Sequence, residues 1–353
     1  MKKYKIIREI IGFLCFLLLT ASLLHGLNRV FTPKWGENDA MQTYMMRGFY
    51  SEKKNSLQVL AIGDSDVYRG VSPIAIFQDS GITSYTLASS SQRMWQSYYT
   101  LKHALKYQKP EVVLLEVNAS RYNEGREIAM MHQYFDNMKL DEVKWEALQD
   151  PVFAFTTQQK LNLLFPVLQF HSRYNELKEE DFTLAFGDLH FPEKGLAMKA
   201  EVKPYTGTMN YMQERLKKPY AITPKTMKYM EKIADLCHEE GITLVLFKTP
   251  EPKSWRQPHH DAVAHFAKQH DLTFIDYNDE DQIVHFDMQK DTMDKGTHLN
   301  VHGSEKLSTL LSRYLRNKLH VKPYDDKEVI AVFRKDAETY QKDKAKAIAA
   351  LKK

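Results

Sequence analysis

Residues 59–70 read VLAIGDSDVYRG, a short apolar run that breaks abruptly into Gly-Asp-Ser-Asp. A run of this length, closed by turn-forming residues, reads as a buried strand that delivers a loop. The break is either an ordinary turn or a device that sets a serine, Ser65, at a strand end. Working outward, GITSYTLASSSQ (81–92) reads as a second short strand ending in small polar residues. MWQSYYTLKHALKYQK (94–109) carries apolar and aromatic residues at helical spacing. Pro110 follows, and Val112–Val117 within EVVLLEVNASRY has the apolar density of a central strand. Strand, loop, helix, strand is the pattern of an α/β fold with a parallel sheet between helices.

Residues 124–220 lose that rhythm. NLLFPVLQFHSRY (162–174) reads as a helix bent or broken near Pro166, and FGDLHFPEKGLAM (186–198) reads as loop. This stretch is expected to be an insertion that covers or flanks the site, with a separate domain as the alternative. The rhythm returns at Thr223-Pro224, a helix start, and Gly241 can end that helix. ITLVLFKTPEP (242–252) and LTFIDYND (272–279) read as further strands, and residues 301–319 as an amphipathic last core helix. The expected organisation is a cytoplasmic tip and anchor over 1–28, a connector over 29–56, a main domain over 57–323 and a charged helical tail over 324–353. The tail is expected to lie on the surface without chemistry.

Composition narrows the function classes. The chain has 353 residues, 43% of them hydrophobic and 12% aromatic, enough for a substantial core. Its 49 basic and 45 acidic residues are too evenly balanced to argue for nucleic acid. Cys15 and Cys237 fit neither a metal spacing nor a disulfide framework. His259, His260 and Asp261 lack a metal-site motif and a distant fourth ligand, so no metal and no cofactor is expected.

The amino terminus says more. Lys2, Lys3, Lys5 and Arg8 precede IIGFLCFLLLTASLLHGLN, Ile10 to Asn28, which holds no Asp, Glu, Lys or Arg. As a helix this run reaches roughly 28 Å, close to the ~30 Å hydrocarbon core of a bilayer. A buried helix and a cleaved signal peptide are alternatives; an uncleaved single-pass anchor is the expectation. The basic flank then stays in the cytoplasm and the remaining chain lies outside it.

Parallel sheets carry functional loops beyond the carboxyl ends of their strands. Ser65, the Ser89–Ser91 turn and Asn118 stand at three such ends, and His298, with Asp291 and Asp294 nearby, stands just before the last core helix. A serine hydroxyl is a weak nucleophile at neutral pH and needs a base, which in turn needs an orienting acceptor. His298 can be that base and Asp294 the acceptor, with Asp291 as fallback. The backbone N–H of Ser65, one near Ser91 and the Asn118 amide can stabilise a developing oxyanion.

With these residues in place the chain resembles the SGNH/GDSL hydrolase superfamily. Within it the chain is similar to the membrane-anchored envelope branch of the D-alanyl-lipoteichoic acid (DltD) and alginate O-acetylation proteins. Gly63-Asp64-Ser65 matches the first block, and His298, Asn300 and Gly303 of HLNVHG match the end of the last. Four positions depart from the pattern. Thr86 and Ser91 stand for the Asn and Gly of the second block, Glu116 for the glycine of Gly-x-Asn, and Lys295 for the aspartate three residues before His298. Gly296 could bend the loop so that Asp294 reaches the ring instead.

The resemblance implies a three-layer, flavodoxin-like fold and acyl transfer or ester hydrolysis through a seryl ester. It implies an exported wall polymer or exopolysaccharide as substrate, the lipid bilayer as anchor, and a multi-spanning membrane O-acyltransferase as partner. Three outcomes stand open at this point. The domain is an acyltransferase or transfer accessory for acetyl or D-alanyl esters, an extracytoplasmic carbohydrate esterase or deacetylase, or a non-catalytic glycan-binding scaffold.

Overall fold

The computed structural model describes residues 2–34, 42–187 and 189–351. Residues 35–41 of the expected connector and 352–353 of the expected tail lie outside the described residues. Five parallel strands form one sheet: β1 (Val59–Gly63), β2 (Ser84–Ala88), β3 (Val112–Glu116), β4 (Thr243–Lys248) and β5 (Thr273–Asp276), in the order β2-β1-β3-β4-β5. The expected α/β parallel fold is therefore the one that forms. β1, β2 and β3 are buried along their whole length, which is why they read as continuous apolar runs.

The chain order sorts the helices onto two faces. It moves one way from β1 to β2 and the other way through β3, β4 and β5. Right-handed crossovers then put the connecting helices on opposite sides of the sheet. α1 (Lys2–Phe31) and α2 (Gln42–Ser51) precede the sheet, and α3 (Ser65–Gly70), α4 (Pro73–Ser80) and α5 (Met94–Ala104) follow its first strands. The insertion holds α6 (Ile128–Phe135), α7 (Glu142–Gln149), α8 (Thr157–Leu164), α9 (Val167–Phe170) and α10 (Glu179–Phe186). Beyond it come α11 (Pro224–Glu239), α12 (Gln257–Gln269), α13 (Glu280–Ile283), α14 (Val301–Asn317) and α15 (Lys327–Ala350). α4 packs with α14 and α15, and α5 with α11 and α7. The reversal in direction falls between β1 and β3, and open parallel sheets place their ligands beyond the carboxyl ends of the strands at such a point.

α1 holds one span, Tyr4–Phe31, long and apolar enough to cross a membrane. Its residues are exposed from Tyr4 to Leu23, and from Leu24 on they alternate with protein contacts. α2 covers the open edge of β2, with Met45 and Phe49 buried and the Tyr85 hydroxyl donating to the Met45 carbonyl at 2.9 Å.

Two parts differ from the sequence reading. The insertion splits in two directions: α9 and α10 pack on the far end of α1, whereas residues 197–205 run beside the His298 loop. The tail is a helix, as read, but not a bystander. Val329, Phe333, Ala337 and Tyr340 recur at helical spacing and are buried, with the Phe333 ring tilted 43° against Phe77 of α4 at 5.0 Å between centroids. A stripe hidden among charges reads as a solvated helix until a second surface is there to receive it.

Candidate active site

β1 ends at Gly63, where the backbone passes so close to its neighbours that an added Cβ would lie 2.5 Å from Val67 and 2.8 Å from Glu116. Asp64 then caps α3, its Oδ1 accepting the Asp66 N–H at 3.0 Å. Ser65 is the first residue of α3, so its backbone N–H is among the amides a helix start leaves without an intrahelical partner. The parallel register pairs Gly63 with Ala88, which brings the Ser89–Ser91 turn alongside Ser65. It also pairs Ile62 with Leu115, which brings Asn118 alongside from the other side. Ser91 has φ of 48°, the left-handed region that favours glycine, the residue the resemblance leads one to expect here.

His298 arrives from 233 residues away, its Nε2 2.8 Å from Ser65 Oγ. Its Nδ1 lies 2.5 Å from Asp294 Oδ2. With the Nδ1–H donated to that carboxylate, Nε2 is left as the acceptor for the serine hydroxyl. The aspartate sits four residues before the histidine, and the extra residue is absorbed by two successive left-handed residues, Lys295 (φ 66°) and Gly296 (φ 93°). The turn is closed by Asp294 Oδ1, which accepts the His298 N–H at 2.7 Å and the Thr297 N–H at 3.1 Å. Asp291 does not meet the ring: its Oδ2 accepts the Lys306 ammonium at 2.5 Å and the Asp287 N–H at 2.7 Å.

Asn300 holds the loop from below. Its Oδ1 caps α14 through His302 N–H at 3.0 Å and Gly303 N–H at 3.2 Å, and its Nδ2 donates to the Lys290 carbonyl at 2.6 Å. Asn118 is less free than expected. Its Nδ2 donates to Asp64 Oδ2 at 2.8 Å and to the Tyr122 hydroxyl at 3.2 Å, and its Oδ1 accepts from Arg121. An amide nitrogen has two protons, so a role at an oxyanion requires that one of these bonds be released. His259 and His260 diverge: His259 Nδ1 accepts the Arg256 N–H at 3.0 Å, and His260 Nδ1 lies 2.9 Å from Asp276.

Beneath Ser65 lies a charge cluster that the sequence reading missed. Lys248, fully buried at the end of β4, donates to Asp66 Oδ2 at 2.6 Å and lies 3.1 Å from Glu116 and 3.4 Å from Glu251. Arg121 adds a second cation, 3.1 Å from Glu251. Glu116, in the place of the expected glycine, therefore turns toward Lys248 and accepts the Asn118 N–H at 2.8 Å. The signal was visible as one charge closing each of two adjacent apolar strands, VVLLE and TLVLFK.

The cluster sets the electrostatics of the site. Burial alone would lower the His298 pKa, but the bond to Asp294 and the charges of Asp66 and Asp64 hold it above the ordinary value. Burial would raise Asp294, and its bonds to His298 and to two backbone amides bring it below the usual carboxylate range. Asp66 is drawn down against burial by Lys248 and His298. Burial and the Asp66 charge raise Asp64. Glu116 is pushed well up by burial, despite Lys248. The arrangement can deprotonate one serine hydroxyl and store its proton as an imidazolium flanked by carboxylates.

No family model matches the chain. No curated protein matches it. Among solved structures the chain is similar to a "putative acylhydrolase" of Bacteroides fragilis NCTC 9343, at 11% identity over 80% of this chain and 99% of that one, with a TM-score of 0.39. That is a distant likeness from which no activity follows.

Proposed function

We propose that the chain is an SGNH-type serine acyltransferase, or acyl-transfer accessory, held in the membrane by α1 with its domain outside the cytoplasm. The observation that carries this reading is the contact line Ser65 Oγ, His298 Nε2 (2.8 Å), His298 Nδ1, Asp294 Oδ2 (2.5 Å). Ser65 Oγ attacks an acyl carbonyl as its proton passes to His298 Nε2. The backbone N–H groups of Ser65 and the Ser91 turn, and the Asn118 amide once released, receive the negative oxygen. Collapse expels the donor alkoxide, which takes the proton from His298 and leaves an ester on Ser65. A sugar or polyol hydroxyl of an envelope polymer then gives its proton to His298 and takes the acyl group by the reverse steps. Water in place of that hydroxyl makes the same residues an esterase.

An outward-facing domain reaches wall polymers and exported polysaccharide but no cytoplasmic acyl donor. That is why a multi-spanning membrane O-acyltransferase is the partner we propose, with acetyl or D-alanyl as the group passed. The basic flank of α1 supports the orientation. In the test, detergent-solubilised full-length protein is treated with a fluorophosphonate and weighed intact. Wild type is expected to gain one adduct that Ser65→Ala does not. Equal labelling of both overturns the reading, and no labelling of either favours the scaffold. Ester-linked acetyl or D-alanyl on wall polymer, compared with and without the gene, falls if the reaction is transfer and rises if it is removal.

A further inference from the structure

We infer that the first part of the insertion, residues 128–187, is a foot seated in the outer interface of the bilayer crossed by α1, with Leu168, Tyr174, Phe182 and Phe186 against lipid. This rests on the reading of α1 as a membrane anchor. The charge-free run of α1 begins at Ile10. A hydrocarbon core of ~30 Å takes roughly 20 residues at 1.5 Å each, so the span ends at about residue 29. The helix is already in protein contact from Leu24. Roughly five residues of α1, or about 8 Å of depth, are therefore shared between lipid and the insertion.

Among the side chains the insertion exposes on the segments around this end of α1 are four large apolar or aromatic ones. The Phe186 ring lies 3.8 Å from the position a Cβ would take on Gly26, inside the span. Phe182 is one helical turn away on the same face of α10. Phe182 is 49% exposed, Phe186 63%, Leu168 49% and Tyr174 72%. Exposed apolar side chains scattered singly need no explanation, but here they gather on the segments that grip one end of an apolar helix. Several polar groups at this junction are turned on one another. The Val167 N–H donates to Asn28 Oδ1 at 3.1 Å, Arg173 donates to the Phe31 carbonyl at 2.7 Å, and Asp181 takes Arg173 at 3.2 Å and Lys34 at 3.7 Å. Glu179 and Glu180 stand at the opposite end of α10, about 10 Å along its axis from Phe186. Aromatic rings with partners of this kind suit the headgroup boundary, where an apolar body and a polar rim are both satisfied. The foot would set the height and tilt of the Ser65 site over the membrane.

Spin labels test this on the full chain in phosphatidylcholine–phosphatidylglycerol vesicles, in a Cys15→Ser, Cys237→Ser background. Labels go on Phe182→Cys, Phe186→Cys and Leu168→Cys, with Leu19→Cys in the span and Lys268→Cys at an exposed position of α12 as references. Folding of each is checked by circular dichroism. The expected result is a ratio of oxygen to nickel-chelate collision that is highest at 19, several-fold above the 268 value at 182, 186 and 168, and water-like at 268. A deep label at 19 with water-like labels at all three foot positions overturns the foot and leaves the anchor standing. A water-like label at 19 overturns the anchor itself. Foot labels shielded from both collision partners overturn the lipid contact in favour of a protein surface, a second copy or a membrane partner.

Discussion

In the proposed reaction His298 is the central residue, because both of its ring nitrogens are engaged, one by the Ser65 hydroxyl and one by the Asp294 carboxylate. Its raised pKa has a direct consequence. The ring is a base only when neutral, so labelling of Ser65 should rise with pH through a midpoint above 6.5, the ordinary histidine value. Asp294→Asn removes a charge and an acceptor that both favour the protonated ring. Its midpoint should move to lower pH, and its plateau rate should fall by roughly 10²–10⁴ as the tautomer and orientation are lost. A pH-rate series of fluorophosphonate labelling on both proteins checks this, and an unmoved midpoint removes Asp294 from the site. Ser65, His298 and Asp294 were all nameable in the sequence. The choice between Asp294 and Asp291 was not, because both lie within one loop and only the backbone path aims one of them at the ring.

At the scale of elements, the loop from Asp291 to Asn300 makes that choice. Two left-handed residues, Lys295 and Gly296, take up the one-residue difference from the expected spacing. A Cβ on Gly296 would lie 2.9 Å from Tyr205 and 3.0 Å from Pro252, in a backbone region that costs other residues about 1–2 kcal/mol. Gly296→Ala should therefore slow labelling about ten-fold, the equivalent of that strain, while urea unfolding shifts by no more than about 2 kcal/mol. A wild-type labelling rate would show that the loop does not need this glycine. The strands were legible as elements because buried parallel strands are apolar from end to end. α15 was legible as a helix but not as part of the core. Its apolar stripe is thin, and Phe77, which receives Phe333, lies some 250 residues earlier in the chain.

On the scale of the whole molecule, the sheet is a device for assembling charge. Lys248 of β4 neutralises Asp66 after β1, Glu116 of β3 and Glu251 after β4, and none of these is near it in sequence except the last. Lys248→Met should cost about 3–5 kcal/mol in urea unfolding, since it leaves buried carboxylates without their cation. Glu116 and Asp64, already raised by burial, would rise further. The folded state would then bind more protons than the unfolded chain, so the penalty should shrink as the pH is lowered. A penalty that is independent of pH would mean that the cluster is held by packing alone. The amino-acid sequence by itself determined the α/β parallel sheet, the apolar helix and the serine, histidine and aspartate at loop positions, because periodicity, turn chemistry and helix caps act over a few neighbouring residues. Only the tertiary structure decided which aspartate faces His298, that Glu116 has a buried lysine opposite it, and that the insertion grips the carboxyl end of α1. Those are contacts between residues far apart in the chain, and their energy exists only once the sheet has set its strands side by side.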